Sequence, residues 1–508
     1  MYIANLQFQQ NEDRLKISAE IDGYTLWFKI PKQYQASRTY SPFLAAALLP
    51  AMLEGKKLTI GSGGSVSPYL LKNINRLQEI HNAWNPIFKI IPVETELKHE
   101  SSLNEGVACF FSGGCDSSYT FMKHLTEISH LLFIKGFDFH YDQSQDYLLN
   151  SDSISDLSQL AFKLMNSSQP ELINIRQQLS SETIQALRLY LETWIPGSNL
   201  ENLLLNDLNQ LIESGHFTKL VGSAKTKLIS KAENKLSGAN GPNNQQELNR
   251  TILETLFPGE IARKKHQNFS QAVKQNEKFA QSFGKKLITV ETNLYAFSYR
   301  FNLSRNLFQG SMLASIALLL GFPTTFIPAS DYYPQLVPFG SHPLTDPLYS
   351  SEAVEIIHDG AEVRRVDKLK KIASVKPIFE NLHVCFNHPS ENCGKCKKCI
   401  RTIVPLLLMG IKDTPFKSTP TIKEIKKAMA RDPIESSYLK EIYASVEHPA
   451  DAKLKSAFKA MIKASERREI YKIIDQTFFN GFFKKQRKRL EKKRPRFKRI
   501  DTIPAENS

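Results

Sequence analysis

Thirteen residues, Val107–Tyr119, constrain this 508-residue chain more than any others. They read VACFFSGGCDSSY: five apolar residues suited to a fully buried strand run straight into Ser112-Gly113-Gly114-Cys115-Asp116-Ser117-Ser118, and TFMKHL continues at helical spacing. A strand, a glycine turn and a helix start therefore follow without a break. The two glycines remove the side chains that keep a polyanion off the backbone, so N–H groups of the turn and first helical turn can face phosphate oxygens. Ser112, Ser117 and Ser118 add hydroxyl donors. A plain serine-rich turn between strand and helix is the competing reading.

The stretch is not the nucleotide loop G-x-x-x-x-G-K-[ST], because no Lys follows the glycines and the spacing is tighter. Ser-Gly-Gly-x-Asp-Ser at a strand-to-helix junction resembles the pyrophosphate loop of the N-type ATP pyrophosphatases, or PP-loop superfamily. That superfamily includes asparagine synthetase, GMP synthetase and 7-cyano-7-deazaguanine synthase. The resemblance implies that Ser112, Gly113, Gly114, Asp116, Ser117 and Ser118 bind ATP and that the bond between its α and β phosphates is split. It further implies that pyrophosphate stays on the loop while AMP activates the substrate. Asp116 and Ser117 become the candidate catalytic residues, with Asp116 placed to hold or position Mg²⁺ beside the phosphates. An acid paired with a helix dipole is the alternative for Asp116. No His adjoins Cys115 in sequence, and it reads as a small buried side chain rather than a nucleophile.

The chain predicts an α/β fold, a parallel sheet with helices on both faces, which the resemblance makes adenine nucleotide α-hydrolase-like. After Val107–Phe111, further strands are expected at His130–Phe139, Lys285–Thr292 and Thr324–Pro328, separated by helical segments. Their carboxyl ends place Ser112, Gly136-Phe137-Asp138 and Ala329-Ser330-Asp331 on one crevice. Residues 1–104 read as an N-terminal α+β subdomain: three alternating segments broken at Asn11-Glu12-Asp13 and Asp22-Gly23, helices over Pro42–Leu53 and Pro68–Trp84, and a strand over 87–94. Gly61-Ser62-Gly63-Gly64 lacks a following Asp-Ser and reads as a loop. Residues 105–410 form the expected PP-loop domain. It is interrupted at about 149–267 by amphipathic segments that read as a helical insertion, whether lid, partner-binding arm or bulk.

Cys385, Cys393, Cys396 and Cys399 fall within 15 residues. Clustered C-x-x-C-x-x-C in a chain without an export signal argues for metal rather than disulfides. Four thiolates complete a tetrahedral Zn²⁺ shell, so the site is expected to be structural. The CGxCxxC core with Arg401 shortly after is similar to the zinc knuckle of 7-cyano-7-deazaguanine synthase; an iron–sulfur cluster, as in some tRNA-thiolating relatives, is the competing reading.

Between the fourth strand and the cysteines, Ser341, His342 and Asp346 stand in a Gly/Pro-punctuated loop where a substrate would be read, and SEAVEIIHDG, from Ser351, reads as a helix. Arg364, Arg365 and Lys368 are candidates for a second clamp on pyrophosphate, against a solvated basic helix face. Residues 411–508 read as a helical extension. Eleven Lys or Arg against Glu491 between Lys484 and Arg499 carry ten of the fifteen net positive charges, so nucleic acid or another polyanion is the partner class for this tail. With 41% apolar and 23% charged residues, no bilayer-length apolar run and no signal at Met1-Tyr2, a cytoplasmic enzyme is expected.

The resemblance implies an ATP-dependent ligase that adenylates a carboxylate or amide oxygen of a small-molecule or nucleobase-like substrate, AMP then being displaced by ammonia or an amine. The N-terminus lacks the cysteine nucleophile of glutamine-dependent relatives, so nitrogen comes free or from a partner. Two alternatives stay open: modification of a nucleic-acid base using the basic tail, and a non-catalytic nucleotide-binding role in a defence complex, as in some deazaguanine-synthase-like proteins.

Overall fold

The computed structural model describes residues 1–135 and 259–478, apart from 302, 304, 386, 387, 389, 390, 429–432 and 447–450. The expected strand end Gly136-Phe137-Asp138, most of the expected insertion and the basic tail lie outside these residues.

The first three strands, β1 (Tyr2–Gln10), β2 (Arg14–Ile21) and β3 (Tyr24–Pro31), form an antiparallel meander with turns where the sequence breaks. At the second turn Asp22 and Gly23 both take positive φ, 46° and 76°, the backbone that a two-residue hairpin requires. Short strands β4 (Leu58–Ile60), β5 (Ser65–Val66), β6 (Val93–Glu94) and β7 (Glu96–Leu97) follow. The strand expected over 87–94 survives only as β6, because its remaining residues lie in turns and coil with Ile87 and Ile90 exposed.

The central strands are β8 (Val107–Phe110), β9 (Ile128–Lys135), β10 (Lys286–Thr292), β11 (Thr324–Pro328) and β12 (Glu355–Asp359). Ten strands make one mostly parallel sheet, ordered β12-β11-β8-β9-β10-β3-β2-β1-β4-β6. From β12 to β10 all neighbours are parallel, and β3 then adds antiparallel to β10 through Phe28 and Lys29. The N-terminal meander thus extends the central sheet.

β12 corrects the helix expected from Ser351. In Val354-Glu355-Ile356-Ile357-His358 the β-branched residues suit a strand, and full pairing with β11 from Thr324↔Glu355 to Pro328↔Asp359 decides it. The chain runs outward from β8 through β9 to β10, then returns to the other side of β8 as β11 and β12. Strand order therefore reverses between β8 and β11, the place where open α/β sheets hold ligands beyond their carboxyl ends.

Alternation along β8 feeds both faces. Ala108 and Phe110 join one core with helices α1 (Ser41–Glu54) and α2 (Pro68–Trp84), whereas Cys109 and Phe111 join another with α3 (Cys115–Lys123). α1 is buried along nearly its whole length, as its apolar sequence requires, between the sheet and a later apolar helix, Arg305–Leu320. The second face also carries α4 (Gly259–Ser282), whose Phe279 stacks on Phe111 at 4.9 Å. Further helices lie over Leu294–Arg300 (α5), Arg305–Leu320 (α6), Arg365–Ala373 (α7), Lys376–Glu380 (α8) and Lys397–Leu408 (α9). The expected C-terminal helical pattern is present as Ile422–Lys427, Pro433–Ser445 and Ala452–Phe478, packed in a third core. Among the described residues no helix is long and apolar enough to cross a membrane.

Candidate functional site

The turn after β8 has the shape expected of it. Gly113 sits at φ 74°, which a side-chain-bearing residue rarely adopts, and Gly114 caps α3 in an extended conformation. Its hydroxyls hold the turn from within: Ser117 Oγ accepts from Ser112 N at 3.3 Å and donates to Gly114 O at 3.1 Å, while Ser112 Oγ accepts from Gly114 N at 3.3 Å. Outside support comes from His383, whose N–H donates to Gly113 O at 2.7 Å. The N–H groups of Gly113, Cys115, Asp116 and Ser117 have no acceptor among the described residues. Four donors thus stand together at a helix N-terminus, where the dipole also favours an anion.

Opposite them, α7 brings two cations to the same place. Arg365 Nη1 donates to Asp116 Oδ2 at 2.5 Å, and Lys368 Nζ lies 3.5 Å from Asp116 Oδ1 and 2.7 Å from Ala329 O. Lys368 is 1% exposed, its ammonium held 5.7 Å above the Tyr119 ring. Burial works against a charge on Asp116, but Arg365 and then Lys368 outweigh it and hold the carboxyl below its ordinary range. Arg364 turns away and pairs with Asp367 at 2.7 Å near the surface. Arg365 and Lys368 share a face because they are three apart on the helix, whereas Arg364 is its N-cap, in extended backbone outside the helical repeat.

Asp331 follows β11 and completes the crevice. Its Oδ1 is buried without a partner among the described residues, and burial, with the charge of Asp116, pushes its carboxyl up to about 6. Cys115 is 1% exposed and its thiol is pushed up to about 12 by burial, which leaves it a packing residue.

Ser341, His342 and Asp346 come together as a buried knot. Asp346, fully buried, accepts from Ser341 Oγ at 2.7 Å and His342 N at 3.2 Å, and pairs with His358 Nδ1 at 2.8 Å. The His342 ring packs edge-on to Trp84 at 5.0 Å, with its Nδ1 accepting from Leu344 N. What this arrangement visibly does is fix the loop to β12 and α2.

The four cysteines converge. Cys385, Cys393, Cys396 and Cys399 place their sulfurs within 4.8 Å of one another, with Cys385–Cys396 at 4.0 Å and Cys393–Cys399 at 3.9 Å. A tetrahedral ion with bonds of about 2.3 Å to sulfur needs S–S edges of about 3.8 Å, so the cluster can hold one metal ion such as zinc. Amides of Cys396 and Cys399 donate to Cys393 Sγ and Cys396 Sγ. Gly394, at φ 74°, touches the chain at Ser418 so closely that an added Cβ would lie 1.7 Å from Ser418 O. Asn392 ties this knuckle to the crevice segment by accepting from Val384 N at 2.8 Å and donating to Leu382 O at 2.6 Å.

Compared with family models, curated proteins and solved structures, the chain matches none. Three residues at the crevice had no distinguishing mark in the sequence: Asn276, His383 and His358. Asp331 was visible only as a strand end.

Proposed function

We propose that the chain is an ATP-dependent ligase of the PP-loop type, similar in design to 7-cyano-7-deazaguanine synthase. The observation that carries the reading is the group of four unpartnered N–H donors at Gly113, Cys115, Asp116 and Ser117. They lie at the reversal of strand order and face Arg365 and Lys368. Amides plus two cations suit a leaving pyrophosphate, whose charge grows as the bond to the α-phosphorus breaks.

In this reading an oxygen of a substrate carboxylate or amide attacks the α-phosphorus. The bond to the bridging oxygen breaks, and its electron pair leaves with pyrophosphate. Ammonia or an amine then attacks the activated carbon, AMP departs with the C–O electron pair, and the nitrogen loses a proton to solvent. Arg365 and Lys368, now neutralising Asp116, are free to exchange it for phosphate oxygens. Mg²⁺, where bound, neutralises those oxygens; Asp331, through its unpartnered oxygen, and Asp116 are the carboxylates that would hold it. The four cysteines would hold a zinc ion in a structural role, since protein sulfur would fill all four of its positions.

The test is exchange of labelled pyrophosphate into ATP, screened over carboxylate and amide substrates. Exchange should appear with the right substrate, yield AMP rather than ADP on turnover, and fall at least ~10²-fold in Asp116→Ala. Wild-type exchange in that variant would remove the assignment.

A further inference from the structure

Asn276 lies on α4, far from every motif in the sequence, and is 7% exposed. A buried side-chain amide normally finds partners, because leaving its donors and acceptor unmade is costly. The Asn276 side chain makes no hydrogen bond among the described residues and its amide atoms are not sealed from solvent, although its neighbours on the same helix, Phe279 and Ala280, are packed in the core. Its position explains where the amide is directed. A Cβ built on Gly113 would lie 3.4 Å from Asn276 Oδ1 and 3.6 Å from His383 Cβ. Gly113 is therefore wedged between the helix and the segment that holds its carbonyl, with its unpartnered N–H in the same place.

We propose that Asn276 is a phosphate-binding residue of this crevice: with its amide turned so that Nδ2 takes the place of Oδ1 beside Gly113, it donates to an oxygen of the pyrophosphate group held by the turn. The inference rests on the reading of that turn as a pyrophosphate site and adds a donor from outside the motif. A neutral amide extends the cradle without adding to the charge of Arg365 and Lys368, which suits a site that must release its product. It also accounts for a polar residue kept among core neighbours at no gain in folding.

The experiment measures binding of inorganic pyrophosphate to the full chain by titration calorimetry, with melting temperatures taken in parallel, for wild type, Asn276→Asp and Asn276→Leu. Asp has the same shape but repels the ligand, so affinity should fall by tenfold or more. Leu has nearly the same size and removes the unmade polar group, so affinity should fall about five- to tenfold while the melting temperature stays level or rises. That opposite movement separates a ligand role from a structural one, which predicts a lower melting temperature with unchanged affinity. Should Asn276→Asp fail to fold, the Leu variant alone decides. Wild-type affinity in the variants overturns the role of Asn276 but leaves the turn as a pyrophosphate site; no binding by wild type removes both.

Discussion

Replacing Asp116 by Asn tests the electrostatics of the crevice directly. The change preserves shape but leaves Arg365 and Lys368 facing each other without the carboxylate that both now contact. A charge-assisted hydrogen bond contributes about 1.5–3 kcal/mol, and breaking a fully buried ion pair costs about 3–5 kcal/mol. Asp116 and Arg365 side chains are 19% and 26% exposed, so solvent screens part of this, and the lower range applies: about 1.5–3 kcal/mol. For a cooperative unit of several hundred residues this is a fall of roughly 2–5 °C in melting temperature. Pyrophosphate should reverse it, because the ligand supplies the negative charge the variant lacks. Melting curves taken without added divalent cation should therefore show a larger pyrophosphate-induced rise in Asp116→Asn than in wild type. Equal melting temperatures without ligand, or a smaller rise in the variant, would refute the reasoning.

Asp331 gives a pH signature. Its folded value near 6 lies above its unfolded value of 3.8, so the folded chain keeps a proton that the unfolded chain releases, and stability falls as pH rises through that window. Denaturant titrations should show Asp331→Asn gaining on wild type by up to about 3 kcal/mol between pH 4 and pH 7; a constant gap would contradict a raised carboxyl. At the knuckle, Gly394→Ala forces a Cβ into Ser418 O and should abolish stoichiometric metal in the purified chain, read by elemental analysis. Stripping the ion with a chelator should also weaken pyrophosphate binding severalfold, because Cys385 lies two residues from His383, whose N–H holds Gly113 O; unchanged affinity would uncouple the two sites.

The sequence displayed the local parts of this site and hid the distant ones. The strand-turn-helix at Val107–Tyr119 was legible because one short run contains its apolar strand, its positive-φ glycine and its helix start. The cysteines were legible for the same reason, and Arg365 with Lys368 through helical spacing. β12 was not, since five residues with mixed polarity fit either period and only pairing with β11 chooses. That pairing places His358 against Asp346 and lets Asp359 bind Thr120, Lys123 and His124 across more than 230 residues of sequence. Asn276 lies more than 150 residues from Gly113 in the chain, and nothing local marks it.

The most direct measurement is a crystal structure of the chain grown with a non-hydrolysable ATP analogue. The account predicts the β and γ phosphates on the N–H groups of Gly113, Cys115, Asp116 and Ser117, with Arg365 turned from Asp116 toward them. Phosphates bound elsewhere, or a turn that stays empty at saturating nucleotide with Arg365 still on Asp116, would contradict it.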